Sequence, residues 1–469
     1  MRRIMKDRGL RCARMLFAMA VTVVSAGAQS PAAASGIAAI VAPQAGAAAP
    51  QGAPTTLTLQ DALARAQKLE PQFLSAVGAA RSAGEDRVQA RAALLPSAGV
   101  RSEFLNTQGN GAFPSGRFVT NDGVHVYREW GVFHQDLSPG TLTGASLQRA
   151  RVAEAVAQAR AELARRGLAV TVTRAYYALV IAQRKYATAQ LAFTQAQQSL
   201  AITQNLERGG EVPHSDALKA QISVNSADQA LRDAKLAMHT ARLDLAVLVS
   251  SEFDQNFQVV DDLHLASALP SFADVQTMAR RQNPDVRAAM ESVHGADLDV
   301  TIARQAFLPT LTLDVDYGLE ANQLGWNTVV QVNPEKGAVP SVGYFLTASL
   351  NLPLWDWGAR KSKVRQAEIR REQASAELTA TQRELVRNLN GFYQEAQTAR
   401  DQVDLLRQSA DLATENLRLN TLRYQAGEAT ILELVDAQNT VTQARNAYDD
   451  GLARYRVALA NLQTLTGGF

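Results

Sequence analysis

Apolar residues recur at alternating steps of four and three along two stretches. One runs Leu385, Leu389, Phe392, Ala396, Ala399, Val403, Leu406, Ala410, Ala413 and Leu417. The other runs Leu168, Val172, Ala175, Leu179, Ala182, Tyr186, Ala189, Phe193, Ala196 and Leu200. This is a heptad seam, the pattern of a helix lying along another helix. Residues 360–425 hold no proline and one glycine, Gly391. They predict an unbroken rod about 90–100 Å long at 1.5 Å per residue. Alanine at many seam positions lets neighbouring helices approach closely. Each rod is expected to end in a turn, 209–215 and 426–430, followed by a returning helix over 216–249 and 431–466. The result is two antiparallel coiled-coil hairpins.

Elsewhere the period is two. Leu311, Leu313, Val315, Tyr317 and Leu319 alternate with Thr312, Asp314, Asp316 and Gly318. A second run sets Tyr344, Leu346, Ala348, Leu350 and Leu352 against Thr347, Ser349 and Asn351. Each predicts a strand with one apolar and one polar face. The strands are expected at about 310–320 and 343–353, joined by a loop over 320–343. A weaker pair is expected at about 97–106 and 125–137, joined by a loop over 107–124. About ten residues suits a tilted strand crossing a bilayer. Alternation alone serves a periplasmic hairpin packed on a helix equally well.

The chain is one unit written twice. Ala90-Arg91-Ala92-Ala93-Leu94-Leu95-Pro96 matches Ala303-Arg304-Gln305-Ala306-Phe307-Leu308-Pro309 at an offset of 213, which Pro71 and Pro284 share. Gly210-Glu211 pairs with Gly427-Glu428, and Ala220-Gln221 with Ala437-Gln438, at 217; Tyr176-Tyr177 and Phe392-Tyr393 fall between. A period this long marks a duplicated domain rather than a solenoid. The two repeats are expected at 57–262 and 270–469, each opening on one helix, Leu57 to Leu95 and Phe272 to Leu308, stopped by proline.

Before the first repeat, Arg2, Arg3, Lys6, Arg8, Arg11 and Arg14 precede an apolar stretch from Met15 to Val24 and the small residues Ala26-Gly27-Ala28. That order predicts a secretory signal over 1–28. Cleavage there turns a formal net charge of +2 into −3 and removes the only cysteine, Cys12. Residues 29–56, rich in Ala, Pro and Gly, predict a flexible mature N-terminus. Charged residues make up 20% of the chain, which excludes a polytopic helical membrane protein. The near-neutral balance favours no nucleic-acid partner.

Four strands leave two open edges, and an open edge cannot face lipid. If these strands span a membrane, several chains must share one barrel, with the polar faces lining it.

The order helix, strand pair and helical hairpin, written twice, resembles the TolC-like outer-membrane efflux factors. So do Leu350-Asn351-Leu352-Pro353-Leu354-Trp355-Asp356-Trp357-Gly358, then Tyr424-Gln425-Ala426-Gly427-Glu428 with Leu434-Val435-Asp436-Ala437-Gln438, and the ending from Arg454 through Gly467. The resemblance implies an α+β membrane protein, a duplicated unit of long α-helical coiled-coil hairpins plus two β-strands. It implies a homotrimer whose chains form a 12-stranded β-barrel in outer-membrane lipid, continued by an α-helical tunnel in the periplasm. Such a duct is the exit of a tripartite efflux or type I secretion system, joined by a periplasmic adaptor to an inner-membrane transporter.

Glu433 and Asp436, three apart, share a helix face. Read alone they are a solvated helix start, favoured by the dipole. The resemblance implies a ring of carboxylates at the periplasmic entrance. It also implies that Tyr424 and Asp216 help hold that entrance closed through contacts between hairpins. Ala429 stands where the family member compared carries an arginine, and Arg423 is the candidate substitute. Gly209, Gly210 and Gly427 are expected to end helices and, at the tips, to let an adaptor approach.

No pattern for catalysis, metal or cofactor is found. The six histidines, His125, His134, His214, His239, His264 and His294, form no ligand cluster, and Gly109-x-Gly111 lies in a polar loop. The alternatives to a duct are a periplasmic coiled-coil adaptor and a structural coiled coil. The first carries one hairpin rather than two; the second needs no strands with a polar face.

Overall fold

The structure is a computed structural model that describes residues 55–106, 125–265, 268–321, 329–333, 337–340 and 342–467. The expected leader, residues 29–54 and the first loop lie outside the described residues. The chain divides into residues 1–51 and 52–469, so both repeats belong to one compact unit.

Strand β1 (Thr55–Leu57) leads into helices α1 (Leu59–Leu69) and α2 (Pro71–Ala92). A single helix was expected here. It breaks because Pro71 has no amide hydrogen and disfavours helical geometry in the residue before it. Glu70 is extended (φ −72°, ψ 117°) and caps α2 by accepting from the Phe73 amide at 2.7 Å. Next come β2 (Ser97–Asn106), β3 (His125–Asp136), the short α3 (Pro139–Thr143), the 64-residue α4 (Ala145–Arg208) and α5 (His214–Val249).

The order then repeats. Strand β4 (Phe257–Val259) precedes α6 (Phe272–Gln282) and α7 (Pro284–Gln305), broken in the same way at Asn283 and Pro284. Then come β5 (Thr310–Ala321), β6 (Val329–Asn333), β7 (Gly337–Pro340), β8 (Val342–Asn351), the 67-residue α8 (Ala359–Gln425) and α9 (Ile431–Thr466). The β6–β7 hairpin lies where a plain loop was expected. Strand β1 pairs in parallel with β4, Leu57 opposite Val259, so residues 55–56, expected to be flexible, are ordered. Tyr176 clasps this pair: its hydroxyl donates to the Val260 carbonyl at 2.7 Å and accepts from the Val260 amide at 3.0 Å.

Helix α4 packs on α5 and α9, and α8 packs on α9. The lateral order α5-α4-α9-α8 leaves α5 and α8 at the margins. The seam residues are buried or half-buried throughout, with Val172, Leu179 and Ala396 fully enclosed. Gly451 on α9 allows one close approach, since a Cβ there would lie 2.7 Å from Leu406 on α8. Both marginal helices carry exposed apolar rows, Leu405, Leu412 and Leu419 on α8 and Leu218 and Ile222 on α5.

Candidate functional site

The long strands form one antiparallel sheet in the order β2-β3-β5-β8. Its register keeps the two faces distinct. On one face lie the rows Ala98, Phe133, Val315, Leu346 and Val100, Gly131, Tyr317, Tyr344. Much of this face is exposed, Tyr344 at 75% and Leu346 at 64%, while Leu319 and Ala321 at the loop end of β5 are buried, at 2% and 3%. A carboxylate on it, Glu129, accepts a hydrogen bond from the Ser102 hydroxyl.

The opposite face is polar. Its rows are Ser97, His134, Asp314, Thr347; then Gly99, Val132, Asp316, Phe345; then Arg101, Trp130, Gly318, Gly343; then Glu103, Arg128, Glu320. Arg128 bridges two strands, reaching Glu103 at 3.2 Å and Glu320 at 3.1 Å. His134 Nδ1 lies 2.6 Å from the Asp314 carboxylate. Trp130 was not singled out by alternation alone. Its ring crosses β5 over Gly318, donates to the Leu319 carbonyl at 3.0 Å and meets Phe345 at 5.1 Å between centroids. Gly318 has no alternative here, because a Cβ would collide with the Glu129 carbonyl oxygen and Trp130 Cα.

At the far end of the helices, the two turns share one geometry. Gly210 and Gly427 each have φ +76°, and the following amides, Glu211 and Glu428, reach back to the Leu206 and Arg423 carbonyls at 2.9 and 2.8 Å. This is the Schellman closure, which favours glycine at the left-handed position. Gly209 differs from Gly210, having right-handed geometry at φ −74°.

Tyr424 is 3% exposed, and its hydroxyl lies 2.6 Å from Thr203 on α4. Thr203 donates to the Ser199 carbonyl at 2.8 Å, which makes Tyr424 the donor in the pair. Burial raises the Tyr424 pKa; the Thr203 bond opposes that shift and the Asp216 charge adds to it. Gln438 on α9 donates to the Ser199 hydroxyl at 2.8 Å. The two hairpins are thus joined through Ser199 and Thr203, while Asp216 pairs with Lys219 at 3.1 Å. Nothing short of the packed helices signals Thr203.

Glu433 and Asp436 are both exposed. The Glu433 amide donates to the Thr430 hydroxyl at 3.3 Å, and its carboxylate lies 3.7 Å from Arg423. Arg423 also donates to the Glu428 carbonyl at 3.2 Å. Ala429 packs into the tip cluster of Ile431, Leu434 and Tyr424. The offset of 217 residues sets Asp216 and Lys219 where the second tip has Glu433 and Asp436. At these two positions the first tip carries an acid and a base, and the second carries two acids, one of them paired with Arg423.

Among the described residues, no helix is long and apolar enough to cross a membrane. The same residues hold no group of three or more His, Cys, Asp or Glu able to hold a metal. The sheet, with one largely exposed apolar face, and the long helical hairpins share their fold with solved outer-membrane proteins. The family model described as outer membrane efflux protein matches residues 275–468. The chain is 26% identical to outer membrane protein OprJ of Pseudomonas aeruginosa, over 70% of this chain and 66% of OprJ, just under two thirds of that relative. It is 24% identical to outer membrane protein TolC of Vibrio cholerae, over 85% of this chain and 87% of TolC. The fold matches the outer membrane protein VceC from Vibrio cholerae with a TM-score of 0.72 and 19% identity, covering 87% of this chain and 96% of that one. That family's pattern is thus matched over residues 275–468 of this chain.

Proposed function

We propose that three copies of this chain close into an outer-membrane exit duct. Each copy contributes four strands to a twelve-stranded barrel and two hairpins to a periplasmic helical tunnel. The observation that carries this reading is the sheet. Its apolar face is largely exposed along Val100, Phe133, Tyr317, Tyr344 and Leu346, its polar face is ion-paired, and β2 and β8 are its outer strands among the described residues. Lipid tolerates such a sheet only when closed. The apolar face then meets lipid and the polar face lines water. Helices α5 and α8 bring their apolar rows together across each boundary between copies.

The duct receives substrates from a periplasmic adaptor and an inner-membrane transporter that meet the tips. Gly209, Gly210 and Gly427 leave room there for an adaptor's helices. Glu433 and Asp436 ring the entrance, Tyr424 and Asp216 belong to its closure, and Arg423 serves where Ala429 lacks a cation. The domain bounds of 57–262 and 270–469 follow the two repeats.

Leu412→Asp tests the closure. The parent should extract in detergent as a trimer, and the variant as monomers, because a charge in a helix seam is left without a partner. A parent that is monomeric in every mild detergent rules the duct out. Cysteines replacing Asn110 and Asn327, which lie outside the described residues, should react with an impermeant reagent on intact cells. Labelling that needs periplasmic access reverses the orientation.

A further inference from the structure

Phe345 breaks the alternation of β8. It sits on the polar face yet is 52% exposed. Its ring meets Trp130 from two strands away, at 5.1 Å and a tilt of 39°. Beside the pair, Gly318 and Gly343 stand opposite each other in register. With no side chain on either, the sheet there is bare backbone apart from the Trp130 ring, and a Cβ on Gly343 would meet nothing within 4 Å. The result is a shallow niche with aromatic walls and a backbone floor.

Carboxylates border this niche on both sides. Asp316 is the direct cross-strand partner of Phe345, and its Oδ1 is buried without a hydrogen-bond donor among the described residues. Glu320 lies one row beyond Gly318 and is held by Arg128. Across the four rows, Asp314, Asp316, Glu103 and Glu320 outnumber Arg101 and Arg128, so the local field favours positive charge. Aromatic faces attract organic cations and stack on flat rings. Arg128 already uses one such contact, its guanidinium lying 5.7 Å from the centre of the Trp130 ring.

On the duct reading above, we propose that Trp130, Phe345 and Asp316 form a contact site for aromatic organic cations inside the barrel, repeated once per copy. The aromatic pair takes the flat ring, and Asp316 faces the charge. Contact of this kind is weak and fast, which suits a surface that molecules must also leave.

The test uses the trimer with Trp326, Trp355 and Trp357 changed to Phe, leaving Trp130 alone among the four tryptophans. The probe is benzyltrimethylammonium. The controls are its cyclohexylmethyl counterpart, with the same charge and no aromatic ring, and benzenesulfonate, with the ring and opposite charge. The probe should change Trp130 emission saturably and reduce single-channel current in planar bilayers, each control acting at least about fivefold more weakly. Phe345→Leu and Asp316→Asn should each weaken the response about fivefold, read as the blocked fraction of each variant's own open-channel current. Should either variant fail to assemble, the other carries the test, and current block in the unmodified trimer needs no tryptophan change. Channels that form but answer all three compounds alike, or answer unchanged after both substitutions, overturn the site and leave the duct standing. Trimers that form no channel overturn the duct itself.

Discussion

The Tyr424 hydroxyl donates to Thr203 across 221 positions of sequence, at 2.6 Å, and so fastens the second long helix to the first close to the tips. Thr203 keeps its own donation to Ser199 whether or not Tyr424 is bonded to it. Tyr424→Phe therefore leaves no buried donor unsatisfied. It should loosen the tips by about 1 kcal/mol, read as about fivefold faster hydrogen exchange over 200–208 and 420–430. It should also raise the resting conductance of the trimer. Unchanged exchange would mean that packing alone holds the hairpins together.

The tip glycines separate strain from bulk. Gly210→Ala and Gly427→Ala place a Cβ on a left-handed residue, each costing about 1–2 kcal/mol; both should fray the preceding helix. Gly209→Ala, at φ −74°, should be neutral by the same exchange measurement. Gly209→Arg then adds bulk at the tip without strain. It should abolish export with the trimer intact; export at parental levels would remove Gly209 from the adaptor seat.

Glu433 and Asp436 are tested as a pair. On the proposed duct, three copies would bring six carboxylates to the entrance, and crowded like charges attract cations. Polyvalent cations should block current. Glu433→Gln with Asp436→Asn keeps the helix start while removing both charges. Block of this double variant at the parental cation concentration would reduce the pair to a solvated helix start.

Acid stability should depend on Glu162. Its hydrogen bond from Arg165, then that from Arg166, holds its pKa down at about 2 against an ordinary 4.5. A lowered folded pKa stabilises above the unfolded value, so the contribution is complete above about pH 4.5 and is lost towards pH 2. Glu162→Gln should flatten melting temperature against pH in that window. Tyr176 works at the opposite end. Burial pushes it up to about 12, so stability should fall as pH rises from about 10 to 12, when the unfolded phenol ionises first.

The seams and the alternating strands were legible because burial on one side imposes a period, and both periods extend over many residues. The breaks at Pro71 and Pro284 were marked by the prolines themselves, but continuous apolar spacing on either side masked them. Strands of three residues, β1 and β4, are too short to show a period. Thr203 and Phe345 acquire their partners only from the lateral order of helices and the register of strands. Neither leaves a trace in local spacing. The duplication was readable, yet the unlike chemistry of the two tips emerges only when Asp216 and Lys219 are seen to pair.

That unlike chemistry limits the symmetry of any assembly. Three copies carry six tips, and the shared Schellman closure makes them alike in backbone. In side chains they alternate, Asp216 with Lys219 and then Glu433 with Asp436. A collar of three copies, as proposed above, would be sixfold in outline and threefold in charge. A docking partner built from six identical subunits would find two kinds of seat in strict alternation and would have to settle into them as three unequal pairs.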